Sequence, residues 1–186
     1  KGTAMSSVFD HRHAIIIYNP HAGSGKSFFP SIQNFLGISS TTASLKHTIS
    51  DCVQRISDTL IQANWSVTVA PTDYVNHAYE LARAHSASHS LIVVLGGDGT
   101  IHEVVNGMVH SSAILAVLPF GTSNVFALQL GLPRDLDAFC HMLQHPPTIR
   151  VIDLGVANGR YFTCMAGIGL DANIIRHTSS HVKRRF

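Results

Sequence analysis

Charge is scarce in this 186-residue chain: only 13% of its residues are Asp, Glu, Lys or Arg, and the net charge is +2. A nucleic-acid binder carries a basic face with interleaved aromatics, and no such stripe is present, so nucleic acid is excluded as a partner. The three cysteines, Cys52, Cys140 and Cys164, are far apart and form no C-x-x-C. That excludes a disulfide framework and a structural zinc site, and it points to a reducing compartment. The longest apolar runs, LIVVL and AILAVL, fall well short of the roughly 18 residues of a membrane span. No secretory apolar region opens the chain. The 13 histidines include no H-E-x-x-H and no Cys/His cluster. They read as surface or satisfied core residues whose charge rises between about pH 7 and 6. Residues 1–12 are set aside as a tag remnant or disordered N-terminus, since Met5 is internal.

What is present is apolar and periodic. Four β-rich runs, AIIIY (14–18), WSVTVA (65–70), LIVVL (91–95) and AILAVL (113–118), are short and mostly continuous, as strands buried on both faces should be. Between them, Ile49, Val53, Ile56 and Leu60 form one helical stripe, opened by a capping box at Thr48 and Asp51. NHAYELARAHSA supplies another helix, and the small, polar residues 37–44 form a connector. Alternating strands and helices imply a parallel sheet with helices on both faces. After HPPTIR the pattern changes. RVIDLGVANGRYFTCMAG reads as two strands joined by Asn158-Gly159, the strongest short hairpin signal. The expected organisation is an α/β domain over residues 13–148 and the opening of an incomplete β-rich second domain over residues 149–186.

Chemistry concentrates in the loops after the strands. AIIIYNPHAGSGKS resembles a P-loop, but the pattern needs a glycine at the position of Pro20. Strand three runs into GGDGT and strand four into PFGTSN. In a parallel sheet these loops meet at the carboxyl edge, where open α/β folds bind ligands. Gly96, Gly97 and Gly99 let backbone approach a ligand and reach positive φ. Thr100 and Glu103 form a T-x-x-E capping box at a helix start whose free amides suit a phosphate. Asp98 then conflicts with that anion. Two like charges about 4 Å apart repel by ~1 kcal/mol in water and ~4 kcal/mol at a protein surface. A Mg²⁺ ion between them converts the repulsion to attraction. Alternatively, Gly-Asp-Gly is only a turn with Asp98 as its cap, and Thr122 or Asn124 caps the next helix. His102 reads as a helix-surface residue.

In order, NPHAGSGK, GGDGTIHEVVNG and LPFGTSNVFALQLGLP resemble the catalytic domain of the diacylglycerol kinase family, which includes sphingosine and ceramide kinases. The likeness runs from about His13 to the last residue. It implies a phosphofructokinase-like first domain and a β-sandwich second domain, with nucleotide and lipid between them. By resemblance, nucleotide contacts fall to Asn19, Pro20, His21, Ala22 and Gly23, to Thr72, to Gly96, Gly97, Asp98, Gly99, Thr100, Ile101 and His102, and to Thr122. Asp98 is the family's acidic residue, tied to Mg²⁺ and catalysis, and Asp171 falls near the lipid head group. The family's general base belongs to later parts of the second domain, so no residue of this chain is assigned to it. Val125 stands where bacterial diacylglycerol kinases usually have Asp.

The implied activity is ATP- and Mg²⁺-dependent transfer of the γ-phosphoryl group to a lipid hydroxyl, by a cytoplasmic protein meeting its lipid at a membrane surface. Lys183, Arg184 and Arg185 either touch anionic headgroups or are solvated; a second copy of the chain as partner is left open. Lys26 need not be a P-loop lysine. NAD kinase, which shares GGDGT, and a non-catalytic nucleotide-binding module are the alternatives.

Overall fold

Continuous apolar strands need cover on two faces, and the computed structural model supplies it; it describes residues 12–22, 48–145, 149–170 and 172–173. Four strands, β1 (His13–Tyr18), β2 (Ser66–Pro71), β3 (Leu91–Gly96) and β4 (Ile114–Pro119), form a parallel sheet in the order β2-β1-β3-β4. Among the described residues the helices are α1 (Ile49–Gln62), α2 (His77–His85), α3 (Asp98–Met108), α4 (Val125–Leu130) and α5 (Leu136–Gln144).

The period of two along each strand sorts the side chains into two cores. Ala14 and Ile16 of β1, Leu91, Val93 and Leu95 of β3, and Ala116 and Leu118 of β4 pack against α1 and α5 through Val53, Ile56, Leu60 and Phe139. Their neighbours Ile15, Ile17, Ile92, Val94 and Val117 pack against α2, α3 and α4 through Ala78, Ala82, Ile101, Val104 and Phe126. The result is the expected three-layer α/β arrangement. β2 departs from expectation. It is an edge strand among the described residues, and Val69 is 45% exposed where burial on both faces was expected.

α1 forms as its spacing predicts. Asp51 N donates to Thr48 Oγ1 (3.2 Å) and Thr48 N donates to Asp51 Oδ2 (2.9 Å), the reciprocal capping box. α5 has no counterpart among the sequence expectations, although Asp135 caps it by accepting from Ala138 N at 2.9 Å. α2 and α3 cross closely at Gly107, where a Cβ would collide with the Tyr79 carbonyl oxygen and Ala82.

The hairpin is shorter than its sequence suggests: β5 (Gly155–Ala157) pairs antiparallel with β6 (Arg160–Phe162). Asn158 at φ 50° and Gly159 at φ 76° supply the two left-handed residues of a type I′ turn. Flanking Leu154 and Cys164 pack on the α2–α3 face. Among the described residues no helix is long and apolar enough to cross a membrane.

Candidate functional site

Because all four strands run the same way and in register, the loops after Tyr18, Pro71, Gly96 and Pro119 leave one edge of the sheet. The ladder continues into them. Asn19 N donates to Leu95 O (3.2 Å), Thr72 N to Tyr18 O (2.8 Å) and Phe120 N to Gly96 O (2.9 Å). Asn19, Thr72, Gly97 and Gly121 are thereby held along a single rim.

The glycines of that rim serve loop-to-loop approach. A Cβ on Gly121 would lie 2.5 Å from Gly97 Cα, so the third and fourth loops touch backbone to backbone. Gly96, Gly97 and Gly99 do not adopt the positive φ expected of them; among the described glycines, Gly131, Gly159 and Gly169 do. Gly99 is exposed, and a Cβ there would meet nothing within 4 Å.

Asp98 binds the same two loops together. Its Oδ2 accepts from Val125 N and its Oδ1 from Phe126 N, both at 3.1 Å. The carboxylate thus closes the start of α4, and the helix-end amides offset part of its charge. Of the two local caps expected there, neither forms. Thr122 is exposed, and Asn124 (φ 49°, buried) turns its amide onto Gly121, accepting from its N and donating to its O at 2.7 Å each. Asp98 keeps unshared lone pairs, since a carboxylate has about four acceptor sites. No group of three His, Cys, Asp or Glu able to hold a metal exists among the described residues. One carboxylate fits a Mg²⁺ ion whose other ligands are phosphate oxygens and water.

The T-x-x-E capping box expected at Thr100 and Glu103 is absent. α3 begins at Asp98, two residues ahead of Thr100, with Gly97 at its N-cap and no side-chain cap. Glu103 instead reaches α2, where its Oε1 accepts from Asn76 N at 3.0 Å. Ile101 N donates to Gly97 O (3.1 Å) and closes the first turn. The amides of Asp98, Gly99 and Thr100 therefore have no acceptor among the described residues, and they open on the rim.

The first loop is less open. His21 N donates to Asn19 Oδ1 (2.9 Å) and Ala22 N to Asn19 O (3.0 Å), an Asx-type turn in which these amides are used internally. Pro20 is exposed beside them. Ile101 is fully buried in the core, so only its backbone is near the rim. His102 is half-buried. Burial first, then Arg160 of the hairpin, lower its pKa from the ordinary 6.5, against the opposing pull of Glu103. Gly23, Lys26, residues 37–44, Asp171 and Lys183 to Arg185 lie outside the described residues. Sequence reasoning gave no contact role to Asn106 or Tyr161, whose meeting no local pattern announces.

A parallel sheet flanked by helices, with glycine-built loops and an uncapped helix start on its carboxyl edge, defines an open α/β fold. The model of the diacylglycerol kinase catalytic domain matches residues 34–157, and the chain belongs to that family. It is 33% identical over 165 residues to a diacylglycerol kinase of Bacillus subtilis (strain 168), covering 85% of this chain and 46% of the relative. It is 38% identical over 103 residues to a Pseudomonas aeruginosa protein named "Probable lipid kinase YegS-like", covering 54% and 33%. A crystal structure of a diacylglycerol kinase from Bacillus anthracis str. Sterne superposes with a TM-score of 0.61 at 23% identity, over 81% of this chain and 48% of that one, and shows the likeness of fold. The chain spans about half the length of the curated relatives that cover most of it.

Proposed function

We propose that this chain is the nucleotide-binding portion of a lipid kinase that transfers the γ-phosphoryl group of ATP, with Mg²⁺, to a lipid hydroxyl. The observation that carries this reading is the uncapped start of α3. Three amides open on a rim where four strand-end loops converge, and an anion suits them. Phosphoryl transfer asks chiefly for alignment and charge neutralisation, which such a rim begins to supply. Asn19, Thr72 and Thr122 border the nucleotide, and the amides of Asp98, Gly99 and Thr100 donate to its phosphates. Magnesium, when bound, neutralises phosphate charge beside Asp98. Because Asp98 also closes α4, it holds the fourth loop where Thr122 meets the ligand. The acceptor is a diacylglycerol- or sphingosine-like lipid presented at a membrane surface, with Asp171 toward its head group. The division at residue 148 separates the nucleotide domain from the start of the lipid-facing one.

Calorimetric titration with ATP, with and without Mg²⁺, tests the proposal on wild type, Asp98→Asn and Gly99→Leu. Gly99 has open space at its Cβ, so Gly99→Leu preserves the fold while obstructing the rim. Expected are Mg²⁺-dependent binding in wild type, loss of that dependence in Asp98→Asn, and at least tenfold weaker binding in Gly99→Leu. Binding unaffected by Gly99→Leu overturns the rim assignment. No lipid phosphorylation by these 186 residues is expected, since the proton acceptor for the hydroxyl is assigned to none of them.

A further inference from the structure

The hairpin carries little core of its own. β5 and β6 are three residues each, and Val156, Met165, Ile168 and Leu170 are all more than half exposed. A two-stranded ribbon of that size is marginal by itself. Its register pairs Ala157 with Arg160 next to the turn and Val156 with Tyr161 one step further. In an antiparallel ladder hydrogen-bonded and non-hydrogen-bonded pairs alternate, so Tyr161 turns its N–H and C=O outward, away from β5. Both outward groups are taken by one side chain. Asn106 Nδ2 donates to Tyr161 O at 2.9 Å, and Asn106 Oδ1 accepts from Tyr161 N at 3.0 Å. The same Nδ2 donates to His102 O at 2.9 Å, which fixes the amide against its own helix. One turn on, the rings of His110 and Tyr161 meet edge to face at 5.8 Å.

We propose that Asn106 is a positioning residue: its side-chain amide acts as a one-residue substitute strand for β6, seating the hairpin in a single register on α3. An apolar contact such as that of Leu154 or Cys164 tolerates sliding, whereas a paired donor and acceptor do not. The chain beyond Phe162 therefore takes its starting direction from α3, the helix whose first turn faces the rim.

Hydrogen-exchange protection of individual amides, measured by NMR on the 186-residue chain, tests this with Asn106→Leu and Asn106→Asp. Asn106→Leu should lower protection at Tyr161 at least tenfold and leave Val104 and Val105 of α3 unchanged. Asn106→Asp gives a pH-dependent result. A neutral carboxyl has both an O–H donor and an acceptor and can replace the amide, whereas the ionised form faces the Tyr161 carbonyl with no donor. Tyr161 protection in that variant should rise toward wild type as pH falls from about 6 to 4, into the ordinary range where a carboxylate takes up its proton, and a merely space-filling role would show no such rescue. Undiminished Tyr161 protection in Asn106→Leu, equal loss throughout α3, or a pH-independent Asn106→Asp each overturns the proposal. No nucleotide enters the readout, so failure of the functional reading leaves this test intact.

Discussion

Two helices in this chain begin with nearly the same four-residue signal and end up with opposite termini. At α1, Thr48 and Asp51 satisfy each other's backbone amides and close the helix start. At α3, Thr100 and Glu103 have the matching spacing, yet the helix starts at Asp98 and its first amides stay open. The difference arises upstream. Gly97 offers no cap side chain, and the Gly97–Gly121 contact fixes the chain so that it turns helical at once. Glu103, one turn into the helix, is drawn across to Asn76. A capping pattern thus predicts a closed terminus only where nothing ahead of it can begin the helix sooner. The open terminus is the one that follows its strand directly, β3 running through Gly97 into α3.

The largest expected effect comes from the residue that joins the open terminus to its neighbour. Asp98→Ala leaves the Val125 and Phe126 amides without their acceptor. We expect a loss of about 2 kcal/mol, at the upper end for a helix cap, in urea unfolding. A loss below about 0.5 kcal/mol would mean the two 3.1 Å bonds hold nothing together. The paired substitutions Thr48→Ala and Thr100→Ala sharpen the contrast directly. Thr48→Ala should cost about 1 kcal/mol, as removal of a real cap does. Thr100→Ala, at a helix position that Ala favours and with no cap to lose, should fall within about 0.5 kcal/mol of wild type. Equal costs would erase the distinction between the two helix starts. ATP affinity should be indifferent to Thr48→Ala.

What was legible in the sequence followed from periodicity and from local turn chemistry. The stripe from Ile49 to Leu60 reports which side of α1 is buried, and Asn158-Gly159 demands a left-handed pair that few other residues accept. The convergence of the loops followed from the alternation of strands and helices, which implies parallel strands. The rest depended on polar contacts between distant residues: Asp98 with Val125, Glu103 with Asn76, and Asn106 with Tyr161. Each joins residues 27 or more positions apart. Hydrophobic spacing indicates that these side chains leave the core but not which backbone group they meet. β2 misleads for a related reason, since an apolar run gives no notice that it will lie at the edge of the sheet that the described residues form.

The smallest expected effect is a pH dependence on the hairpin side of α3. Burial, then Arg160, lower the pKa of His102 below the ordinary 6.5, and Glu103 only partly opposes them. The unfolded chain therefore binds a proton there more readily than the folded one. The stability that comes from keeping His102 neutral is fully present above pH 6.5, and it is lost as pH falls through the lowered folded value. His89 acts in the same direction, lowered by burial and by His85 and His13, so wild type should lose stability on acidification from both sites. His102→Gln should flatten the slope of unfolding midpoint against pH between about 7.5 and 5.5 without abolishing it. Arg160→Gln should bring the His102 ring titration, followed by NMR, back toward 6.5. An unmoved titration would mean that solvent screens the exposed Arg160 and that burial alone holds the His102 ring below its ordinary value.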